Sequence, residues 1–327
     1  MLHLFYALLL PSAFAGFKLN TKRYLESKHS SASELSYSFL YATRNDQYNG
    51  NSTERLCTSL HALISNLHLY KLEPYSEVIL VDWGSPIPLL SNPLIHTLLT
   101  EQFKPGSVKL RFIRVPENVT QFYTNGSSML SEVHALNAAA RRARGEVIFR
   151  LDQDTIPGNR FLYLLLTFRS YFHALSERLY WSCRRETGPD DYFGLIKDPV
   201  EYVGQQKAFP IWNDGKYCHD GNGAVGVFGV PRAWWFDLNG YDETLIGWGY
   251  MEVEFSKRLS QYAHRRGVDE PWIDIGIITS IDFYHIFHTR APKIINPNKP
   301  ERNLTNKLWG LEGLALEEDI LYDNLLH

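Results

Sequence analysis

Two carboxylates one residue apart, Asp152 and Asp154, close the run from Val147 to Pro157 (VIFRLDQDTIP) just as an apolar strand ends. Carboxylates so placed can point their oxygens at one hard divalent cation, which can in turn hold a diphosphate. The spacing alone says little, because an Asp-x-Asp arises about once by chance in a chain with this much Asp. Its context supplies more. His285 and His288 stand three apart, and their imidazoles are suited to completing the coordination of a metal. Mixed oxygen and nitrogen ligands favour manganese (Mn2+), with magnesium (Mg2+) as the alternative. Glu252 opens a helical pattern running to Arg258 and Leu259, where free amide groups favour a carboxylate, and it is placed to serve as a general base. Just before it, Gly247-Trp248-Gly249 makes a loop whose backbone can approach a ligand closely, with an indole to stack on a sugar face.

These residues need elements to hold them. Ser36 to Ala42 reads as a strand ending at Thr43-Arg44-Asn45-Asp46, and Leu56, Leu60, Leu63, Ile64 and Leu67 mark a helix after it. Glu77 to Val81 is a second strand, ending in the turn Asp82-Trp83-Gly84-Ser85, and Val108 to Val115 a third. Met129 to Arg142 reads as a helix, and Gly145 separates it from the strand that carries the paired aspartates. Strands alternating with helices, each strand ending in polar residues, predict an open parallel sheet with its ligand beyond the carboxyl edge. Arg44, Asp82 and Asp152 then line one crevice. Beyond Pro157 a helix gives way to Gly-rich and aromatic segments from about 180 to 250, which read as a lobe closing over that crevice. Residues 35–156 are therefore expected to form one half of a domain and 157–327 the other.

The bulk properties narrow the classes. A net charge of −3 and a pI near 6.5, with Lys and Arg scattered, argue against a nucleic-acid partner. Leu4 to Ala15 is an apolar run with a small-residue exit, read as a signal peptide over 1–15 or a short signal anchor tying the protein to a membrane. Residues 16–34 read as a polar stem. Sequons at Asn51, Asn118, Asn125 and Asn303 fit passage through the secretory pathway, to the Golgi or ER lumen or to the outside. Cys57, Cys183 and Cys218 show no metal-ligand spacing and allow at most one disulfide among them. Nothing in the sequence indicates an oligomeric state.

Several motifs follow one another: Arg44-Asn45 after a strand, the Asp82-Trp83-Gly84-Ser85 turn, Asp152-x-Asp154, Asn239-Gly240-Tyr241, Gly247-Trp248-Gly249 with acids, and His285-x-x-His288 with Asn296-Pro297. In that order they resemble the inverting glycosyltransferases of the GT-A fold, over about residues 36 to 305. The C-terminal half is most similar to the β-1,4-galactosyltransferase and N-acetylgalactosaminyltransferase group, whereas the Asp82 turn looks more like the broad processive and polypeptide-type family. The resemblance implies an α/β GT-A fold in which a Rossmann-like nucleotide-binding sheet is continuous with a smaller acceptor-binding lobe. It implies Arg44, Asp82, Asp152 and Trp248 on the nucleotide sugar, a UDP-sugar, and Asp154, His285 and His288 on the metal. Gly247, Trp248, Gly249 and Glu254 would form the acceptor and sugar pocket, and Glu252 would be the base. In that group Gly-Trp-Gly is followed by Gly-Glu-Asp-Asp, the Asp after the Glu acting as base. Alignment on Arg258 puts Met251 at the Glu and Glu252 at that Asp, which removes one acid and lengthens the base by a methylene. The expected activity is metal-dependent sugar transfer with inversion to a hydroxyl of a glycan or glycoprotein acceptor. A retaining transferase on the same fold, and a glycan-binding protein of that fold without turnover, are the alternatives.

Overall fold

The computed structural model describes residues 35–46, 50–102, 108–124, 130–169, 177–183, 185–186, 225–247, 249–276, 283–286, 288, 309–312, 314 and 317–320. The expectations for the leader and stem, for Trp248, and for Cys218, Asn125, Asn303 and the Asn296-Pro297 segment lie outside the described residues.

In chain order the first half runs β1 (Tyr37–Thr43), α1 (Ser52–Leu69), β2 (Ser76–Trp83), α2 (Pro93–Gln102), β3 (Lys109–Val115), α3 (Glu117–Thr124), α4 (Glu132–Arg142) and β4 (Val147–Leu151). The second half runs β5 (Thr155–Pro157), α5 (Asn159–Arg169), β6 (Leu179–Cys183), β7 (Arg185–Glu186), β8 (Val225–Pro231) and α6 (Arg232–Asp237). It closes with α7 (Met251–Arg265), β9 (Trp272–Asp274), β10 (Phe283–His285) and β11 (Glu317–Ile320).

Every residue of β1 and β2 is buried, which marks them as central strands covered on both faces. The pleat sorts their side chains. Tyr37, Phe39 and Tyr41 of β1 pack with Val78 and Leu80 of β2 under α1, α2 and α5, while Leu40, Ala42, Ile79 and Val81 pack under α4, α6 and α7. Leu56, Leu60, Leu63, Ile64 and Leu67 form the buried stripe of α1, the face its periodicity predicts. Each such side chain contributes about 1.5–3 kcal/mol on burial.

One sheet holds the order β11-β3-β2-β1-β4-β8-β6-β9, with β1, β2, β3 and β4 parallel to their neighbours among themselves. This is the α/β class with a Rossmann-like sheet that the sequence led to. β8 joins β4 antiparallel, Leu151 opposite Val227, so the second half extends the same hydrogen-bonded sheet. A smaller sheet, β5-β10-β7, hangs from the carboxyl end of β4. In it His285 pairs opposite Thr155, one residue past Asp154.

At the opposite edge Glu77, fully buried, accepts from Ser38 Oγ at 2.6 Å and Arg111 Nη1 at 3.1 Å. Its Oε1 also accepts the Arg144 amide at 2.5 Å, fixing where β4 begins. Gly145 is required there, because a Cβ would lie 2.5 Å from the Ser38 nitrogen. Two boundaries differ from expectation. α4 begins at Glu132 rather than Met129, since Ser131 adopts an extended conformation before the first turn and its hydroxyl bonds His134 Nδ1 at 2.8 Å. β2 continues through Asp82 and Trp83, which are therefore strand residues, because both still pair in register with β3.

Candidate functional site

The acidic turn after β4 is held from three sides. Between the two aspartates, Gln153 Oε1 accepts from Thr43 Oγ1 at 2.6 Å, tying the turn to the end of β1. Thr155 donates its amide to the Asp152 carbonyl at 3.0 Å, and Ile286, just after β10, donates its amide to the Asp154 carbonyl at 2.9 Å. That last bond brings a distant segment to the turn. In consequence His285 Nε2 lies 3.4 Å and His288 Nε2 3.1 Å from Asp154 Oδ2.

One ligand atom from each of Asp154, His285 and His288 lies within 4.8 Å of the others, the one such group found among the described residues. Donors each about 2.1 Å from one cation and at right angles stand about 3 Å apart, close to the 3.1 and 3.4 Å that separate Asp154 Oδ2 from the two imidazoles. One hard oxygen and two imidazole nitrogens suit a first-row divalent metal. The expected ligand set is thus brought together at one point.

Arg150, on β4 and 4 % exposed, joins this turn to the helices. Its Nη2 lies 2.5 Å from Asp152 Oδ1, 3.1 Å from Glu252 Oε1 and 2.9 Å from Glu132 Oε1. Asp152 and Glu252, remote in sequence, therefore meet across one guanidinium. Burial works against the charge of Arg150, but the three carboxylates outweigh it and raise its pKa further above the ordinary arginine value. A charged residue inside an apolar strand was the signal for this cluster, since a buried Arg must find carboxylates. The spacing of motifs along the chain assigns no role to Glu132, Arg150 or Tyr241.

Glu252 sits in the first turn of α7 and is partly exposed. Gly249 and Tyr250 precede it at φ of 87° and 68°, a left-handed turn that aims the helix start. Gly247 and Gly249 are described, and Gly249 has open space where a Cβ would be. Arg258 fixes the helix from behind: it donates to both Glu254 oxygens at 2.7 and 2.6 Å and to the Leu238 and Gly240 carbonyls at 2.8 and 2.7 Å.

Glu254, expected in the acceptor pocket, is 4 % exposed and turned inward, because its helix position one turn from Arg258 places it against the buried guanidinium. Met251 is likewise a core residue, 2 % exposed and packed among the side chains beneath α4. The exposed residues of this turn are Tyr250 and Val253.

Arg44 and Asp82 stand at the ends of neighbouring strands, but both serve the loops. Asp82 Oδ1 accepts from Ser85 Oγ and Oδ2 accepts the Leu89 amide at 2.8 Å, and the residue is buried. Its carboxylate thus shapes its own connection. Arg44 pairs with Asp46 at 3.2 Å and reaches the Trp83 carbonyl at 3.5 Å, linking the β1 and β2 loops. Cys57 is free, and burial, reinforced by Glu54, pushes its thiol up to about 12, so it is inert at neutral pH.

Fold and site together describe a Rossmann-like α/β protein with an Asp-His-His group that could hold a cation at the carboxyl edge of its sheet. Among solved structures, the chain is similar to TarS (1–349) of S. aureus, with 14 % identity and a TM-score of 0.41. That match covers 80 % of this chain and only 60 % of the TarS chain's length. It is similar also to the catalytic domain of Drosophila β1,4-galactosyltransferase 7, solved with xylobiose, at 12 % identity and TM-score 0.41, over 83 % of this chain and 78 % of the other. No protein-family model and no curated protein sequence matches the chain.

Proposed function

We propose that this chain is a metal-dependent glycosyltransferase that moves a sugar from a UDP-sugar to a hydroxyl of a glycan or glycoprotein with inversion. The observation that carries the reading is the convergence of three groups at one sheet edge: Asp154 with two histidines, Asp152, and Glu252 on the start of a helix, the last two sharing Arg150.

Asp154, His285 and His288 would hold a divalent cation, Mn2+ in this reading, which when bound would supply positive charge to offset that of a departing diphosphate. The chain's own residues do the rest. Arg150 holds Asp152 toward the donor and Glu252 toward the acceptor. The acceptor O–H bond breaks, its proton passes to Glu252, and the oxygen's electron pair forms a bond to the anomeric carbon as the bond to the diphosphate breaks. Attack from the face opposite the leaving group inverts the anomeric centre. With Glu254 turned inward, the acceptor meets Tyr250 and Val253 around Glu252, an apolar rim suited to the face of a sugar ring.

The test is a panel of nucleotide sugars with and without Mn2+, reading free nucleotide diphosphate and then transfer to acceptor arrays. UDP-sugar turnover requiring Mn2+ is expected, and Glu252→Gln should lower transfer by about 10²–10⁴-fold. Retention of configuration in the product would replace inversion by the retaining mechanism; nucleotide release by no donor would sink the transferase reading. We place the protein in the secretory pathway, consistent with exposed sequon residues Asn51 and Asn118, and a mobility shift on glycosidase treatment of protein from secreting cells checks it.

A further inference from the structure

Glu132 opens α4, far in sequence from the acidic turn, yet its Oε1 lies 2.9 Å from Arg150 Nη2. The same nitrogen faces Asp152 at 2.5 Å and Glu252 at 3.1 Å. Nη2 donates a hydrogen bond to Glu132 Oε1 and faces Asp152 Oδ1 and Glu252 Oε1 as ion pairs, so three carboxylates gather at one guanidinium nitrogen that has only two hydrogens. Full ionisation of all three would leave negative charge uncompensated beside a buried guanidinium, which a low-dielectric site resists.

The surroundings single out Glu132 as the carboxyl that keeps a proton. Burial, then the charges of Asp152 and Glu252, lift its pKa to about 7 against the pull of Arg150. Its side chain is still 30 % exposed, so it can exchange that proton with solvent. The groups facing it are Arg150 of β4, Asp152 of the turn, Glu252 of α7 and Tyr241 of the loop after α6. Tyr241 is 1 % exposed, feels the same four charges, and its hydroxyl has no hydrogen-bond partner among the described residues. A buried phenol so placed is a donor waiting for a water or a substrate group. On the same helix, His134 is turned away, bonded to Ser131 and stacked on Trp83 at 5.7 Å.

We infer that Glu132 is a positioning residue for the proposed base: when ionised it draws Arg150 toward itself, loosens the guanidinium's hold on Glu252, and frees that carboxylate to take the acceptor's proton. This rests on the transferase reading above. Glu132 gives no atom to the substrate; its own proton goes to solvent before the transfer step, and the acceptor's proton ends on Glu252.

The experiment compares kcat/KM for sugar transfer from about pH 5.5 to about pH 9, at saturating Mn2+, for the full chain and for Glu132→Gln and Glu132→Asp. The parent protein should show a rise through neutrality. Glu132→Gln, which mimics the protonated acid, should match it at low pH, lack the rise, and fall about 10-fold below it at high pH. Glu132→Asp should restore the rise at a shifted position, with Mn2+ affinity unchanged in both variants. A Glu132→Gln profile parallel to the parent at every pH would overturn the role while leaving the transferase reading intact. Should that variant not fold, an unmoved rise in Glu132→Asp overturns it equally. A parent protein inactive at all pH values would fail the transferase reading itself, and that outcome is seen before any variant is made.

Discussion

Asp154 makes the candidate site, because one of its oxygens faces both histidines within 3.4 Å. Replacing a ligand removes a donor while leaving the backbone bond from Ile286 in place. Asp154→Asn and His288→Ala should each weaken Mn2+ binding by at least about 10-fold in calorimetric titration, with the circular dichroism spectrum unchanged. Equal affinity in all three proteins would mean the ion binds elsewhere. Glu132 also leaves a mark on stability. Its folded pKa, about 7, lies above its ordinary value of 4.5, so the neutral acid is what folding favours. The stability this confers is present at low pH and lost as pH rises through about 7. The parent protein should therefore lose more stability than Glu132→Gln between about pH 5 and about pH 8 in urea melts. The sequence showed Asp152, Asp154, Glu252 and the two histidines because their types and spacing are chemical on sight. It hid Glu132 and Tyr241, whose meaning arises only when α4, β4 and α7 converge on one guanidinium. Glu254 is legible in a plainer way: its spacing from Arg258 already offers an internal partner.

α7 and the loop before it act as one piece. Arg258 binds Glu254 and two carbonyls of the Leu238–Gly240 loop, and Asn137 of α4 accepts the Tyr241 amide at 2.8 Å while donating to its carbonyl at 2.9 Å. Gly240 lies between these clamps at φ 67°, where an added Cβ would stand 2.2 Å from Asn137 Oδ1. Gly240→Ala should lower stability by about 2–4 kcal/mol in urea, through clash and strain together. Arg258→Lys, which cannot reproduce the bidentate pair, should lower transfer by displacing the start of α7, and a variant with parental kcat would show that Glu252 is held by other means. The periodic elements β1, β2, α1 and β4 were legible because their residues alternate or repeat around a buried core. Their ends were less so, since Ser131 stopping α4 and Asp82 remaining in β2 depend on a side-chain bond and a neighbouring strand.

Across the whole molecule, the two halves share one sheet, since β8 is hydrogen bonded directly to β4. Relative motion of the halves by a hinge would break that ladder. The continuity was foreseen in outline from motif order, whereas the small sheet β5-β10-β7 was not, because three-residue strands leave no periodic trace. That small sheet sets how metal and folding are coupled. Asp154 and His288 lie 134 positions apart along the chain, and drawing such distant segments together costs loop-closure entropy. The pairing of Thr155 with His285 and the Ile286 amide on the Asp154 carbonyl meet that cost within folding itself. Removal of metal by a chelator should accordingly lower the melting temperature only as mass action requires and leave the far-ultraviolet spectrum intact; unfolding on chelation would show the reverse coupling. With the seat held by backbone pairing, the rate at which an ion enters should be set by diffusion and shedding of water rather than by any search of the chain for its ligands.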